Sequence, residues 1–251
     1  MGKQLGIINV RGKVGDMGYF KTADGYMIRR NTSVTKDRIA SDPKFENTRL
    51  VNREFATAGK AGKLLRAAVT EQLMTNGDGK LASRLVKIMM DALKYDTVSD
   101  RGDRAPWKGD LAFLEGLEFN KNNEMLQTFI AEQTHSVDRP SGKMTLDVGP
   151  FNVKRKLVIP PNAQFFQIAI GGSAIDWENG KCEFKEDLTD YMPVGNVDIP
   201  GFSLTVNVTP ASTLPLMLVW GVRFFYKTNG KYYQLNGAAN NALRVLKVDQ
   251  P

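Results

Sequence analysis

One histidine, His135, and one cysteine, Cys182, are all that the chain offers toward imidazole or thiolate chemistry. A Ser-His-Asp site needs an imidazole to shuttle the proton. His135 stands in EQTHSVDRP beside Ser136 and Asp138, but adjacent residues of a strand point to opposite faces. An exposed strand-end histidine is expected there. Cys182 falls in an expected hairpin strand and reads as a small hydrophobe rather than a nucleophile. One His and one Cys cannot build a tetrahedral zinc site without carboxylates. No catalytic residue, metal or cofactor is therefore expected.

Other motifs dissolve on spacing. In TNGDGK, Asn76, Asp78 and Gly79 match positions 3, 5 and 6 of a calcium loop, but positions 1 and 12 are Met74 and Leu85, which offer no side-chain oxygen. AGKAGKLL has Thr57 and Leu64 where a phosphate loop needs Gly and Ser or Thr. Arg101-Gly102-Asp103 matches the integrin tripeptide, a three-letter pattern common by chance. The carboxylate pairs Asp176/Glu178 and Glu186/Asp187 suit glycoside hydrolysis only if they face a cleft. Trp107, Trp177, Tyr191, Tyr232 and Tyr233 could stack on a sugar, although hairpin aromatics more often pair across strands.

The charge is placed unevenly. Residues 1–75 hold 14 Lys/Arg against 7 Asp/Glu, and the other residues hold 20 of each, so the net charge of +7 lies wholly in the first third. That asymmetry points to a polyanion or an acidic protein surface as partner. Arg29, Arg30, Lys36, Arg38, Arg49, Arg53, Lys60, Lys63 and Arg66 are the cations that would contact it.

The elements follow from period. YFKTADGYMIRR reads as a hairpin around Ala23-Asp24-Gly25, since Gly tolerates the positive φ of a tight turn. Gly12, Gly15 and Gly18 mark places where backbone bends or lies against other backbone. Asp42 can cap a helix with Pro43 in its first turn. Val51, Phe55, Ala58, Gly62, Leu65, Val69 and Leu73 then form one apolar stripe. The small residues of ATAGKAG allow another element to approach closely, and a second helix spans about 81–93. Past the polar, turn-rich residues 94–110 the period becomes that of strands: LEGLEF, TFIAEQT, KMTLDV, QFFQIAIGG, KCEFKEDL, FSLTVNV, LPLMLVWGVRFFYK, KYYQLN and ALRVLKV. Asn179-Gly180 and Asn229-Gly230 signal hairpins, and LPLMLVWGV reads as a central strand buried on both faces.

The expectation is an α+β chain. An extended arm with a β-hairpin covers 1–40, a helical pair 41–95, a linker 96–110 and an all-β sandwich 111–251, Ig-like or jelly-roll-like. No run of 18 apolar residues exists, so no membrane-spanning helix is expected. The N-terminal apolar run is too short for a signal peptide, and a lone cysteine allows no intrachain disulfide. A cytoplasmic location, or a particle assembled in the cytoplasm, is the simplest expectation.

Two stretches, GKVGDMGYFKTADGYMIRR and TLPLMLVWGVRFFYKTNGKYYQLNGAANNALRVLKV, resemble a family of Bacteroidetes-type proteins with no established activity. Gly12-Lys13-Val14-Gly15, Asn229-Gly230 and Asn241-Ala242-Leu243 carry the resemblance. It implies a shared fold and no catalytic residue.

The functional expectation is a non-enzymatic, self-assembling structural protein, a homo-oligomer such as a virion, shell or tube component. A glycine-rich hairpin is marginal alone in water. Gly12, Gly15, Gly18, Tyr19, Phe20, Tyr26 and Ile28 are therefore expected to dock on a neighbouring subunit. The alternatives are a nucleic-acid-binding protein using the basic first third, and a carbohydrate-binding β-sandwich module.

Overall fold

The computed structural model describes residues 1–6, 8–30, 34–73, 78–235 and 240–251, the side chains of 70–73 excepted. The chain is α+β with a β-rich portion. It divides into two compact units, Met1–Asn52 and Arg53–Pro251.

The first unit holds strands β1 (Gly2–Lys3), β2 (Gly12–Val14), β3 (Met17–Thr22) and β4 (Gly25–Arg30), a short helix α1 (Lys36–Ser41), and the start of α2 (Glu46–Leu73). The strands form an antiparallel sheet in the order β1-β4-β3-β2, with Tyr19 opposite Ile28 and Phe20 opposite Met27. Gly25 turns the expected hairpin at φ +112. Gln4 holds the preceding segment: its Oε1 accepts from Val10 N at 2.9 Å and its Nε2 donates to the Met27 carbonyl at 3.0 Å. Asp42 caps the 3-10 turn Pro43–Phe45 by accepting from Lys44 N at 3.0 Å, and α2 follows directly.

The second unit continues with α3 (Leu81–Leu93), α4 (Met125–Thr128), β5 (Gln133–Asp138), β6 (Lys143–Val148), β7 (Phe151–Asn152), α5 (Val153–Lys156), β8 (Phe165–Asp176), β9 (Lys181–Leu188), β10 (Met192–Pro193), β11 (Asp198–Ile199), β12 (Phe202–Asn207), β13 (Leu216–Thr228), β14 (Lys231–Gln234) and β15 (Ala242–Asp249). Its main sheet runs β10-β8-β13-β14, with β9 also on β8 and β15 also on β13. A second sheet has the order β12-β6-β5, and β7 pairs with β11.

Alternation along β8 and β13 explains how one sheet serves two cores. Phe166, Ile168, Ile170, Leu216, Leu218, Trp220, Val222 and Phe224 face Met144, Leu146, Leu204 and Val206 of the second sheet. Ala169, Met217 and Val219 share the other core with Leu65 and Val69 of α2 and with Leu81, Leu85 and Met89 of α3. The helical pair thus covers one face of the central sheet and the three-stranded sheet covers the other. Each fully buried Leu, Ile or Phe contributes about 1.5–3 kcal/mol, so these two cores dominate the unit's stability. Small residues set the layer spacing. A Cβ on Gly62 would lie 3.2 Å from the Leu85 Cβ, the close helix approach that ATAGKAG allows. A Cβ on Gly172 would lie 2.6 Å from Val206 Cγ2.

Three expectations need correction. Val51 and Phe55 are exposed, Phe55 at 57%, and do not belong to the buried stripe of α2. That stripe runs through Glu54, Ala58, Ala61, Leu65 and Val69, because a buried ion pair admits Glu54 to an apolar face. LEGLEF, residues 114–119, is not a strand: Leu114 ends the 3-10 turn Leu111–Leu114, and 116–119 lies along β15 with an isolated bridge between Glu118 and Arg244 and with Phe119 N donating to the Leu243 carbonyl at 2.8 Å. TFIAEQT begins as the end of α4 and becomes strand only at Gln133. The hairpins at Asn179-Gly180 and Asn229-Gly230 form as expected, with Gly180 at φ +66 and Asn229 and Gly230 at +51 and +77.

Candidate functional site

A cleft in the second unit, with a volume of about 740 Å³, is built by three segments. Arg53, Thr57, Lys60 and Leu64 recur at helical spacing and present one face of α2. Ala56 and Ala61 add depth to that wall because their side chains are short. Asp103, Trp107 and Lys108 form the facing wall, and the β8–β9 turn from Trp177 to Gly180 closes an end. The Trp107 and Trp177 rings are parallel within 4° with centroids 6.4 Å apart. Their N–H groups are engaged internally. Trp177 Nε1 donates to the Ala61 carbonyl at 3.3 Å and Trp107 Nε1 to Glu178 Oε1 at 3.4 Å. Trp177 is buried at 8% exposure as part of the core, so the half-buried Trp107 is the indole that offers ring surface to the cleft.

Charge in the cleft is only partly compensated. Arg53 pairs with Asp103 at 3.3 Å. Among the described residues, Lys60 and Lys108 have no carboxylate within ion-pair distance, and both are exposed. The Asp103 wall is positioned by a buried pair beneath it. Arg104 donates to Glu54 through Nε at 2.7 Å and NH2 at 3.0 Å, and Gly102 N donates to the same carboxylate at 2.8 Å. The Arg104 guanidinium, followed by the Gly102 N–H, holds Glu54 below the usual carboxylate range against the opposing effect of burial. Asp96 pins the same loop by accepting from Val98 N, Ser99 N and Ala105 N, each at 3.0 Å. Burial would raise its pKa, but these backbone donors together bring it down to about 2.

The expected assembly residues all lie in the first unit's sheet. Gly12 and Gly15 have φ of +122 and +58, so they bend the chain, and nothing lies within 4 Å of a Cβ placed on either. Gly18 sits in β3 opposite Lys13 and Arg29. Tyr19, Phe20, Tyr26 and Ile28 are half-buried. The hairpin's outer edges are already paired with β1 and β2, which leaves only strands of two and three residues with an open edge.

The expected polyanion set divides between the units, and several of its cations are engaged. Arg30 pairs with Asp16 at 2.7 Å and Arg38 with Asp42 at 3.3 Å. Arg29 lies over the Phe20 ring at 5.4 Å, and Arg49 NH1 donates to the Ile39 and Asp42 carbonyls at 2.9 Å. Lys36 and Lys63 are exposed, and Arg66 is half-buried. Of the nine, Arg53 and Lys60 line the cleft.

Residues weighed for catalysis have other occupations. His135 is exposed on β5, while Ser136 bonds to Thr145 Oγ1 at 2.6 Å and Asp138 to Ser141. Burial, with Glu183 nearby, pushes the Cys182 thiol up to about 11, which removes thiolate character near neutral pH. Asp176 accepts from the Asn179 amide and backbone, and Asp187 accepts from Thr205 N at 2.8 Å. Glu186 faces Arg223 at 3.7 Å. Asp78 accepts from Arg84 and from Lys80 N and Lys121 N; Asn76 and Gly77 lie outside the described residues. Arg101 and Asp103 are exposed while Gly102 between them is buried. Tyr191 stacks on Tyr232 at 3.8 Å, and Tyr226 pairs with Tyr233 across the β13–β14 hairpin at 5.5 Å.

Sequence reasoning missed Glu54, Arg104 and Asp96. The only signal was Glu54 at the i−4 position of Ala58 on the buried stripe. It also missed a second network, in which Arg244 donates to Glu118 Oε1 at 2.9 Å and Met125 N to Oε2 at 3.0 Å. Burial there raises the Glu118 carboxyl despite both donors. Among the described residues no three His, Cys, Asp or Glu side chains gather as a metal site, and no helix is long and apolar enough to cross a membrane. No protein-family model and no curated protein sequence matches the chain.

Proposed function

We propose that this chain is a structural protein that self-assembles, with its first unit docking on a neighbouring copy. One observation carries the reading: no described residue of the first unit, 1–52, is buried. Its apolar side chains remain partly or largely in water, with Leu5 at 88% and Ile8 at 83% exposure. Ordering each backbone residue costs about 1–2 kcal/mol. A small sheet without a buried core cannot offset that cost readily. A second copy would supply the missing apolar contact. With its outer edges already paired, the hairpin would dock by its faces, through Tyr19, Phe20, Tyr26 and Ile28, rather than by strand addition. Assembly inside a cell as part of a particle, shell or tube is consistent with this reading.

Light scattering on size-exclusion fractions of the full chain and of a chain lacking residues 1–31 tests it. The full chain should gain mass with concentration while the shortened chain stays monomeric. Identical monomers at high concentration would refute the proposal.

A further inference from the structure

We infer that the cleft of the second unit binds a nucleoside phosphate, either as a free nucleotide or as a unit of single-stranded nucleic acid. This does not depend on self-assembly. The cleft volume of about 740 Å³ lies within the roughly 300–1,000 Å³ of small-molecule sites. Its composition selects the chemistry. With its N–H spent on Glu178 and its ring parallel to that of the buried Trp177, the half-buried Trp107 presents ring surface suited to a flat base. Lys60 on α2 and Lys108 on the facing wall flank that surface without carboxylate partners among the described residues. Set against the lining carboxylate of Glu178, which has no cation within ion-pair distance among the described residues, and the neutral Arg53–Asp103 pair, the two ammonium groups leave the cleft net positive beside the Trp107 face, which favours a ligand that joins a ring to an anion.

A neutral sugar would leave both lysines unused. The Arg53–Asp103 pair closes one end of the cleft with no net charge, so the phosphate belongs at Lys60 and Lys108. Beneath this wall, the Glu54–Arg104 pair and the Asp96 bonds hold the loop that carries Asp103 and Trp107. The wall is therefore formed before any ligand arrives.

Indole fluorescence of the full chain reads occupancy directly, because two of the chain's three tryptophans line the cleft. Adenosine 5′-monophosphate and a short oligothymidylate are titrated separately, with an oligogalacturonate as the acidic-sugar control. Saturable quenching by at least one of the first two is expected. The double variant K60Q/K108Q, altered only at exposed lysines, should weaken that binding at least tenfold with its melting temperature unchanged. Oligothymidylate affinity should fall with salt at a log–log slope of about −1.4 for two phosphate contacts. Quenching by the mononucleotide alone identifies a free nucleotide, and quenching by the oligomer alone a strand. No saturable quenching by either, equal binding by the double variant, or a response to oligogalacturonate alone would overturn the inference.

Discussion

Removing the Glu54 carboxylate should destabilise the second unit by about 3 kcal/mol. Its residue exposure is 2%, and its three hydrogen bonds come from Arg104 and from Gly102 N at 2.7–3.0 Å. Breaking a buried pair from one side costs about 3–5 kcal/mol, because the remaining charge is left unpaired. The Arg104 side chain keeps 24% of its exposure and can regain some water, which places Glu54→Ala at the lower end of that range. In a unit of this size, that corresponds to a fall in Tm of roughly 6–12 °C. Urea unfolding followed by tryptophan fluorescence isolates the effect, since Trp107, Trp177 and Trp220 all belong to the second unit. Arg104→Ala should cost at least as much, for it strands the more deeply buried partner. The double variant should cost less than the sum of the two, with a coupling of about 1–3 kcal/mol. The folded carboxylate titrates below 4.5, so its stabilisation is complete above that pH and fades as pH drops through the folded value. The gap between wild type and Glu54→Ala should narrow accordingly in acid. A Tm change below about 2 °C, or additive single variants, would refute the reasoning.

Asp96→Asn tests the second anchor of the same loop. The interval between 3.8 and about 2 corresponds to roughly 2 kcal/mol. This stability is present above pH 3.8 and is lost as pH falls through 2, so urea midpoints of wild type and variant should converge over that window. A constant gap across it would contradict the assignment. Gly172→Ala tests the spacing of the two sheets: its Cβ would stand 2.6 Å from Val206 Cγ2 and 2.9 Å from Met144 Sδ. Overpacking of this kind costs about 1–3 kcal/mol. A second change, Val206→Ala, should recover part of the loss in thermal melts, and a neutral Gly172→Ala would show that the layers are looser than described.

Much of the architecture was legible because it is local. Asn-Gly turns, the Leu81–Leu93 helix and the apolar run of β13 buried on both faces depend on residues within one segment, and each formed where its residues indicated. Failures came where a distant partner changed the value of a residue. Glu54 reads as polar surface until Arg104, fifty positions away, neutralises it. The stripe through Val51 and Phe55 fails for that reason. LEGLEF has strand composition, yet its first residue, Leu114, ends a 3-10 turn that fills the helical side of the core, and 116–119 meets β15 through an isolated bridge. The cleft was legible only in fragments. Trp107 and Trp177 were noted as stacking residues and Lys60 as a phosphate contact, but 117 positions separate Lys60 from Trp177 and no periodicity links them.

By itself the sequence determined the alternation that builds the strands, the turns that join them, the scarcity of imidazole and thiol groups, and the concentration of positive charge in the first third. These are properties of neighbouring residues or of composition, so they need no fold to exist. Only the tertiary structure decided which polar groups are buried in pairs, which cations stay uncompensated, and that α2, the 103–108 loop and the β8–β9 turn meet around one cleft. Burial and pairing depend on which distant segments pack together, and that packing is settled by the two cores on either face of the central sheet.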